Sequence, residues 1–420
     1  MERLIVGSLR TTRISTLIII DALDECKDEE PASAILSILS RCANQIPCVK
    51  FFITGRPEPR IRSRFCLPAL QPITEVLRLH EVERPLVDID IRLFFQTRLA
   101  EVVKNRSHSD ITEDWPLSSD ISILCKKAAG LFIYASTAVK FVASPYHQPP
   151  KRLALLVSLP QNITREGESG IDSLYTEILR HAYQNVGPVS QNPDNQEVYQ
   201  HFRSAVGVVL LAFNPLSIKS LASLLHDLNT PSDIYIALNP LHSLLLVPEV
   251  TDDPVWIFHK SFPDFLMDPK RCQDTQFFVD PAVHHTEILL SCLQLMEQRL
   301  KRNICGLDDI PLHEADDPFD CRKEHIGDAL EYACQFWTKH LLKSPRSGSN
   351  AGKIQEKIDK FFTKHLLHWI EVLAIMKNLD ASVYSLKNIK QWYTLVSFRH
   401  FIQSKTSIQR LCRGKMYATG

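Results

Sequence analysis

The chain has 420 residues, 45% of them hydrophobic and 23% charged, a balance that excludes a disordered polymer and suits roughly two to four globular domains. Lys plus Arg and Asp plus Glu number 48 each, so no overall field draws the chain to nucleic acid or to an anionic membrane. Its 11 cysteines are scattered singly without a CxxC pair, as expected of free thiols in a reducing, cytoplasmic setting.

The first predicted element is the strand Leu17-Ile18-Ile19-Ile20, which runs directly into Asp21-Ala22-Leu23-Asp24-Glu25-Cys26. At four residues the run is too short for a signal core, and the longer apolar stretch Leu131 to Val142 is broken by Lys140, so no membrane span is expected. Ile35, Leu36, Leu39 and Cys42 recur at helical spacing, and beyond Pro47 a second short strand, Val49 to Ile53, ends in Thr54 and Arg56. Strand, helix and strand in this order imply a parallel sheet. Val76-Leu77-Arg78-Leu79 reads as a further strand, and Ile89, Ile91, Leu93, Phe94 and Leu99 as a helix that closes the α/β region near residue 100.

From Ser118 onward, Ile121, Leu124, Ala128, Leu131 and Ile133, then Ala138 and Val142, predict two packed helices ending in the proline-rich stretch 144–150. A linker at Asn162 to Gly170 leads to helices near Leu174 to Tyr183, Val198 to Phe213, Ile218 to Leu225 and Ile236 to Leu245. Leu246 to Glu249 and Val255 to Phe258 then read as a hairpin over the turn Asp252-Asp253-Pro254, and helices followed by such a wing describe a winged-helix domain. The remainder is helical by pattern, with a Ser/Gly loop at Ser344 to Gly352. The expected fold is therefore a partial α/β P-loop NTPase core over residues 1–105, a helical lid over 106–165, a winged helix over 166–275 and an all-α region over 276–420.

An acid behind a buried strand is how a Walker B element reads, because a hard cation that bridges phosphates needs an oxygen ligand at the carboxyl end of a strand. Asp21 is the expected Mg²⁺ residue, Asp24 or Glu25 the residue orienting an attacking water, and Thr54 with Arg56 a sensor pair near a terminal phosphate. The alternative is that these acids cap the next segment and face solvent. No GxxxxGK[ST] loop precedes Asp21, so the chain is expected to carry the magnesium side of a nucleotide site without its phosphate side, and not to hydrolyse nucleotide alone. Gly348 to Ile354 only imitates such a loop, since Ile354 stands where a metal-binding hydroxyl is needed. Arg60, Arg62 and Arg64 read as a solvated helix face rather than a nucleic-acid contact, and Cys305, Cys321, His325 and Cys334 lack zinc-ligand spacing.

Four motifs stand in order: Asp21 to Cys26; Thr54-Gly55-Arg56-Pro57; Gly130-Leu131-Phe132-Ile133-Tyr134-Ala135-Ser136; and Phe258-His259-Lys260-Ser261-Phe262-Pro263-Asp264-Phe265-Leu266. With these the chain resembles fungal NACHT-type proteins of the STAND class of signalling ATPases, related to NOD-like receptors. The later segments Tyr332 to Trp337 and Phe361 to Leu373 resemble the helical region that follows the winged helix in that family. The resemblance implies a switch in which bound ADP holds the domains closed and exchange for ATP, with Mg²⁺, opens them to oligomerise. It also implies that His259 is the winged-helix histidine that contacts the diphosphate; a core histidine between Phe258 and Phe262 is the competing reading. Implied partners are proteins, either further copies of the chain or intact NACHT relatives, with no membrane and with nucleic acid disfavoured. Two rival functions are a scaffold without nucleotide and, on weaker grounds, a winged-helix nucleic-acid binder. A sheet lacking its first strand is further expected to leave Ile18, Ile20, Phe51 and Ile53 uncovered.

Overall fold

In the computed structural model the described residues are 15–26, 29–42, 49–68, 70–105, 111–112, 114–145, 147–160, 168–183, 193–225, 227–228, 230–306, 322–345 and 350–394. The chain is mostly helical, carries two small two-stranded sheets, and divides into two compact units, Met1–Leu86 and Val87–Gly420. The division at Leu86 falls inside the span expected for the first domain.

The first unit is a strand-helix-strand-helix assembly: β1 (Thr16–Ile20), α1 (Glu29–Cys42), β2 (Val49–Ile53) and α2 (Pro59–Phe65). The two strands are parallel, paired from Thr16 with Val49 to Ile20 with Ile53. Because side chains alternate across a strand, one face carries Ile20, Phe51 and Ile53, which pack on a core of Leu23, Ala32, Leu36, Leu39, Ile61 and Leu70 supplied by the helices and turns. The opposite face holds Leu17, Ile19 and Phe52, exposed by 60%, 65% and 57%. An uncovered apolar face was therefore expected on the wrong side: α1 and α2 lie over the Ile20 face, and its one-residue neighbours are the bare ones. The strand expected at Val76 to Leu79 is also absent among the described residues. That stretch is extended, has no ladder partner and ends in a 3-10 turn at Leu79–Glu81, with Leu77 and Leu79 almost wholly exposed.

The second unit opens with α3 (Arg84–Lys104), whose Ile91, Phe95 and Leu99 are completely buried in the main core. Each such burial stabilises by about 1.5–3 kcal/mol. α4 (Ser118–Ala128) and α5 (Phe132–Val142) form the expected pair, separated by left-handed Ala129 and Gly130. α6 (Pro149–Ser158) begins with two prolines at positions that need no backbone donor, and Lys127 on α4 caps its far end by donating to the carbonyls of Val157 and Leu159 at 2.8 and 2.7 Å. α7 (Glu168–Tyr183) abuts α4 so closely that a Cβ on Gly170 would sit 2.7 Å from the Lys127 carbonyl, which dictates glycine there.

α8 (Pro193–Leu211), α9 (Ile218–Leu224) and α10 (Pro231–Leu238) follow, the last two started by Ser217 and by a Thr230/Asp233 capping box. A short antiparallel hairpin, β3 (Leu245–Leu246) with β4 (Trp256–Ile257), leads into α11 (Ser261–Leu266). The rest is helical: α12 (Pro281–Arg299), α13 (Gly327–Lys343), α14 (Asn350–Lys364), α15 (Leu366–Ile375) and a final helix over residues 380–394. α12 and α13 pack along their lengths, and Trp337 and Trp369 are fully enclosed, Trp369 donating to the Cys334 carbonyl at 2.9 Å. Among the described residues no helix is long and apolar enough to cross a membrane. Cys26, Cys66, Cys125, Cys272, Cys292 and Cys334 are free thiols, but Cys305 is disulfide-bonded, contrary to the expectation of free thiols throughout.

Between α12 and α13 a chain of hydrogen bonds crosses the core. The Phe213 amide donates to Tyr332 Oη at 3.2 Å, Tyr332 Oη lies 2.7 Å from His340 Nε2, and His340 Nδ1 lies 2.8 Å from His285 Nδ1. The Phe213 amide can only donate, so Tyr332 Oη accepts there, while the Tyr332–His340 and His340–His285 contacts can each run in either direction according to tautomer. Burial, helped by the nearby charges of Lys343 and His284, lowers His285 to about 4. The unfolded chain, whose histidine takes a proton near pH 6.5, therefore binds that proton first on acidification. Stability supplied by neutral His285 should be complete above pH 6.5 and fall by about 3 kcal/mol on descending to pH 4. Chemical denaturation of the second unit across that window measures it, and His285→Gln should flatten the His285 share of the slope.

Candidate functional site

At the carboxyl ends of β1 and β2 the sequence brings together the acids and the Thr/Arg pair. The ladder continues one step beyond the strands, with Thr54 N donating to the Ile20 carbonyl and Leu23 N to the Thr54 carbonyl, both at 2.9 Å. Thr54 Oγ1 accepts from Ala22 N at 2.9 Å and donates to Asp21 Oδ1. Thr54 thus uses its amide, carbonyl and hydroxyl to hold the loop after β1, while Ala22 takes a left-handed conformation, φ 51°, at the start of a 3-10 turn over Leu23–Glu25.

The turn sends neighbouring acids into different surroundings. Asp21 is exposed at the strand end, Glu25 is exposed as well, and Asp24 is buried, with 4% of its surface accessible. Asp24 Oδ1 accepts from Arg56 N at 2.9 Å and its Oδ2 lies 3.7 Å from Arg56 Nε. Asp24 therefore fixes the backbone and guanidinium of Arg56, which remains 43% exposed at the mouth of the site. Asp21 offers carboxylate oxygens, Thr54 a hydroxyl and Arg56 a cation, all above the same strand ends. Among the described residues no group of three or more His, Cys, Asp or Glu is arranged to hold a metal. A magnesium ion carried by a nucleotide needs only one or two carboxylates from protein, with phosphate and water completing its shell, so Asp21 and Thr54 fit that role and no more closed cage.

His259 belongs to the second unit and lies between β4 and α11. It is half-buried, and only Phe262 of its two phenylalanine neighbours is enclosed, so it is not a sealed core histidine. Its Nδ1 receives the Ser261 amide at 3.1 Å and lies 2.7 Å from Ser261 Oγ, which in turn lies 2.7 Å from Tyr175 Oη on α7. Burial pushes Tyr175 up to about 12, partly offset by the Ser261 contact. Beside it, Lys140 Nζ sits 3.1 Å from the centre of the half-exposed Phe258 ring. Ser261 was visible in the sequence as part of a motif without a role, and Tyr175 gave no signal at all.

The other residues singled out in the sequence form no site. Arg62 and Arg64 lie in the last turn of α2, and the side chain of Arg60 is outside the described residues. Cys321, Gly348, Ser349 and the linker residues 161–167 are also outside them.

No family model matches the chain. No solved structure matches it either. Among curated proteins it is similar to "Vegetative incompatibility protein HET-E-1" of Podospora anserina, with 24% identity over 402 residues that cover 89% of this chain. The chain spans about a quarter of that protein, 26% of its length. The two are distant relatives across nearly the whole of the present chain.

The Asp24 geometry sets a test. Asp24→Ala strips the Arg56 amide of its buried acceptor and should lower the opening free energy of the first unit by about 2 kcal/mol, whereas exposed Asp21→Ala should cost under about 1 kcal/mol. Amide hydrogen exchange of the β1 and β2 residues reads both; equal losses would show that Asp24 holds nothing that Asp21 does not.

Proposed function

We propose that this chain is part of a NACHT-type signalling regulator whose first unit carries the magnesium side of an ATP/ADP site, and that His259 of the second unit is a nucleotide-contacting residue. The observation that carries the reading is the junction at the strand ends, where Thr54 ties Asp21 and Ala22 together and Asp24 holds Arg56 facing outward. In this reading Asp21 orders Mg²⁺ through water, Arg56 meets the terminal phosphate, and Glu25, exposed where Asp24 is not, is the acid able to meet a water. Helices α7 to α11 with the β3–β4 hairpin, within residues 166–275, are read as a winged helix, and α4 to α6, within residues 106–165, as the lid before it. The distant relationship to a vegetative incompatibility protein supports a place in a response of that kind, exercised through protein partners. Hydrolysis is not proposed for these residues, because they include no lysine and backbone cradle for the transferred phosphoryl group.

A second reading, a scaffold that acts by protein contact without nucleotide, is favoured by the bare face of Leu17, Ile19 and Phe52, since parallel sheets are ordinarily covered on both faces. Titration of the full chain with a fluorescent ADP, with and without Mg²⁺, separates the two. Magnesium-dependent binding weakened about tenfold by Asp21→Ala and by Arg56→Ala, a loss of about 1.4 kcal/mol each, supports the switch. Absence of binding at millimolar nucleotide removes it and leaves the scaffold.

A further inference from the structure

We propose that the outward face of the β3–β4 hairpin is a docking surface occupied by residues 395–420 of this same chain. The face departs from the ordinary pattern of a hairpin packed on a core. Leu245 and Ile257 pack on the main core, so the strand positions beside them should be polar. Instead Leu246 and Trp256, paired directly across the two strands, are half exposed, and Phe258, two residues beyond Trp256, shares their side. The turn that joins the strands adds Glu249, Asp252 and Asp253, all exposed. Lys219 meets Asp252 at 3.4 Å, which still leaves the rim acidic on balance. An apolar face with such a rim repels phosphate backbones and fits a segment in which apolar side chains and cations alternate.

The chain itself supplies such a segment. Residues 395–420 contain five cations, Arg399, Lys405, Arg410, Arg413 and Lys415, and no Asp or Glu. Phe398, Phe401, Ile402 and Leu411 stand among them, so an apolar anchor and a positive charge recur within a few residues of one another. The segment follows directly on the final helix, which runs to residue 394. Extended, it reaches about 85 Å, more than the roughly 50 Å expected across a folded body of the second unit's length. Attachment to the same chain holds it at an effective concentration in the millimolar range, so contacts too weak to retain a separate molecule are sufficient.

Two forces combine in the contact. Leu246 and Trp256 shed water against the phenylalanine and isoleucine side chains, while the lysines and arginines approach the acids of the turn. A cation over an aromatic ring is already realised on this face, where Lys140 Nζ sits 3.1 Å from the centre of the Phe258 ring. Trp256 offers a larger ring to a cation of the segment. While residues 395–420 are bound, the hairpin is closed to other proteins, and their release exposes it.

The test is zero-length carbodiimide cross-linking of the full chain, which joins a lysine amine to a carboxylate only where the two are in contact, with the links read by mass spectrometry. Links from Lys405 or Lys415 to Glu249, Asp252 or Asp253 within one chain are expected. Trp256→Ala on the hairpin, and Phe398→Ser with Phe401→Ser on the segment, should each reduce those links about fivefold or more. The link between Lys357 and Glu297, whose charged atoms lie 3.1 Å apart, reports in every sample that the fold is intact. Hairpin links that form only between chains, read from a mixture of ¹⁵N-labelled and unlabelled protein, overturn the proposal in favour of a second copy. Hairpin links that are absent, outnumbered by links of Lys405 and Lys415 to acids elsewhere, or unchanged in both variants while the Lys357 link persists overturn it outright.

Discussion

Parallel, in-register pairing of β1 with β2 is the constraint from which the first unit follows. Setting Ile20 opposite Ile53 makes Asp21 and Thr54, 33 residues apart in sequence, neighbours at the strand ends. Thr54 then has three polar groups to satisfy, and all three are met by the last residue of β1 and the loop after it. Its grip holds Ala22 in a left-handed conformation that costs on the order of 1 kcal/mol in isolation, and the bonds from Ala22 N and Leu23 N offset that cost. The tight turn that results separates two carboxylates only three residues apart. Asp21 is left in solvent, where a cation can reach it, and Asp24 is turned inward, where its charge is spent on Arg56.

This is why the sequence was a good guide to one part of the site and a poor one to another. An apolar run ending in acid, a helical period and a second run ending in Thr and Arg are local signals, and they located β1, α1, β2, Asp21, Thr54 and Arg56. Division of labour between Asp24 and Glu25 depends on a single 3-10 turn that no residue pattern announces. Which face of the sheet stays bare was misjudged for a related reason. Leu17, Ile18, Ile19 and Ile20 are all apolar, so alternation cannot say which face a helix will cover. Val76 to Leu79 misled because strand propensity describes fitness for a pleated surface, and no strand lies beside that segment to provide one. In the second unit helical spacing was strong enough to mark most helices, and turn chemistry at Asp252-Asp253-Pro254 marked the hairpin. Tyr175, 86 residues before Ser261, could emerge only from the packing of α7 on α11.

Two histidine relays in the second unit obey one rule. In each, a backbone amide that can only donate meets one end of a chain of groups that can both donate and accept. Phe213 N does so for Tyr332, His340 and His285, and Ser261 N for His259. Side-chain identity alone is silent on such order, since serine, tyrosine and histidine each both donate and accept.

Burial then decides what each ordered chain is good for. His285 and His340 are enclosed, no ligand can reach them, and their neutral state contributes to stability that acid withdraws. His259 lies half-buried between the hairpin and α11, its Nδ1 met by Ser261, with Lys140 resting on the ring of Phe258 next to it. The same physics that makes the first relay a structural tie leaves the second within reach of solvent, because enclosure, not the hydrogen bonds themselves, decides whether a polar chain is sealed in the core.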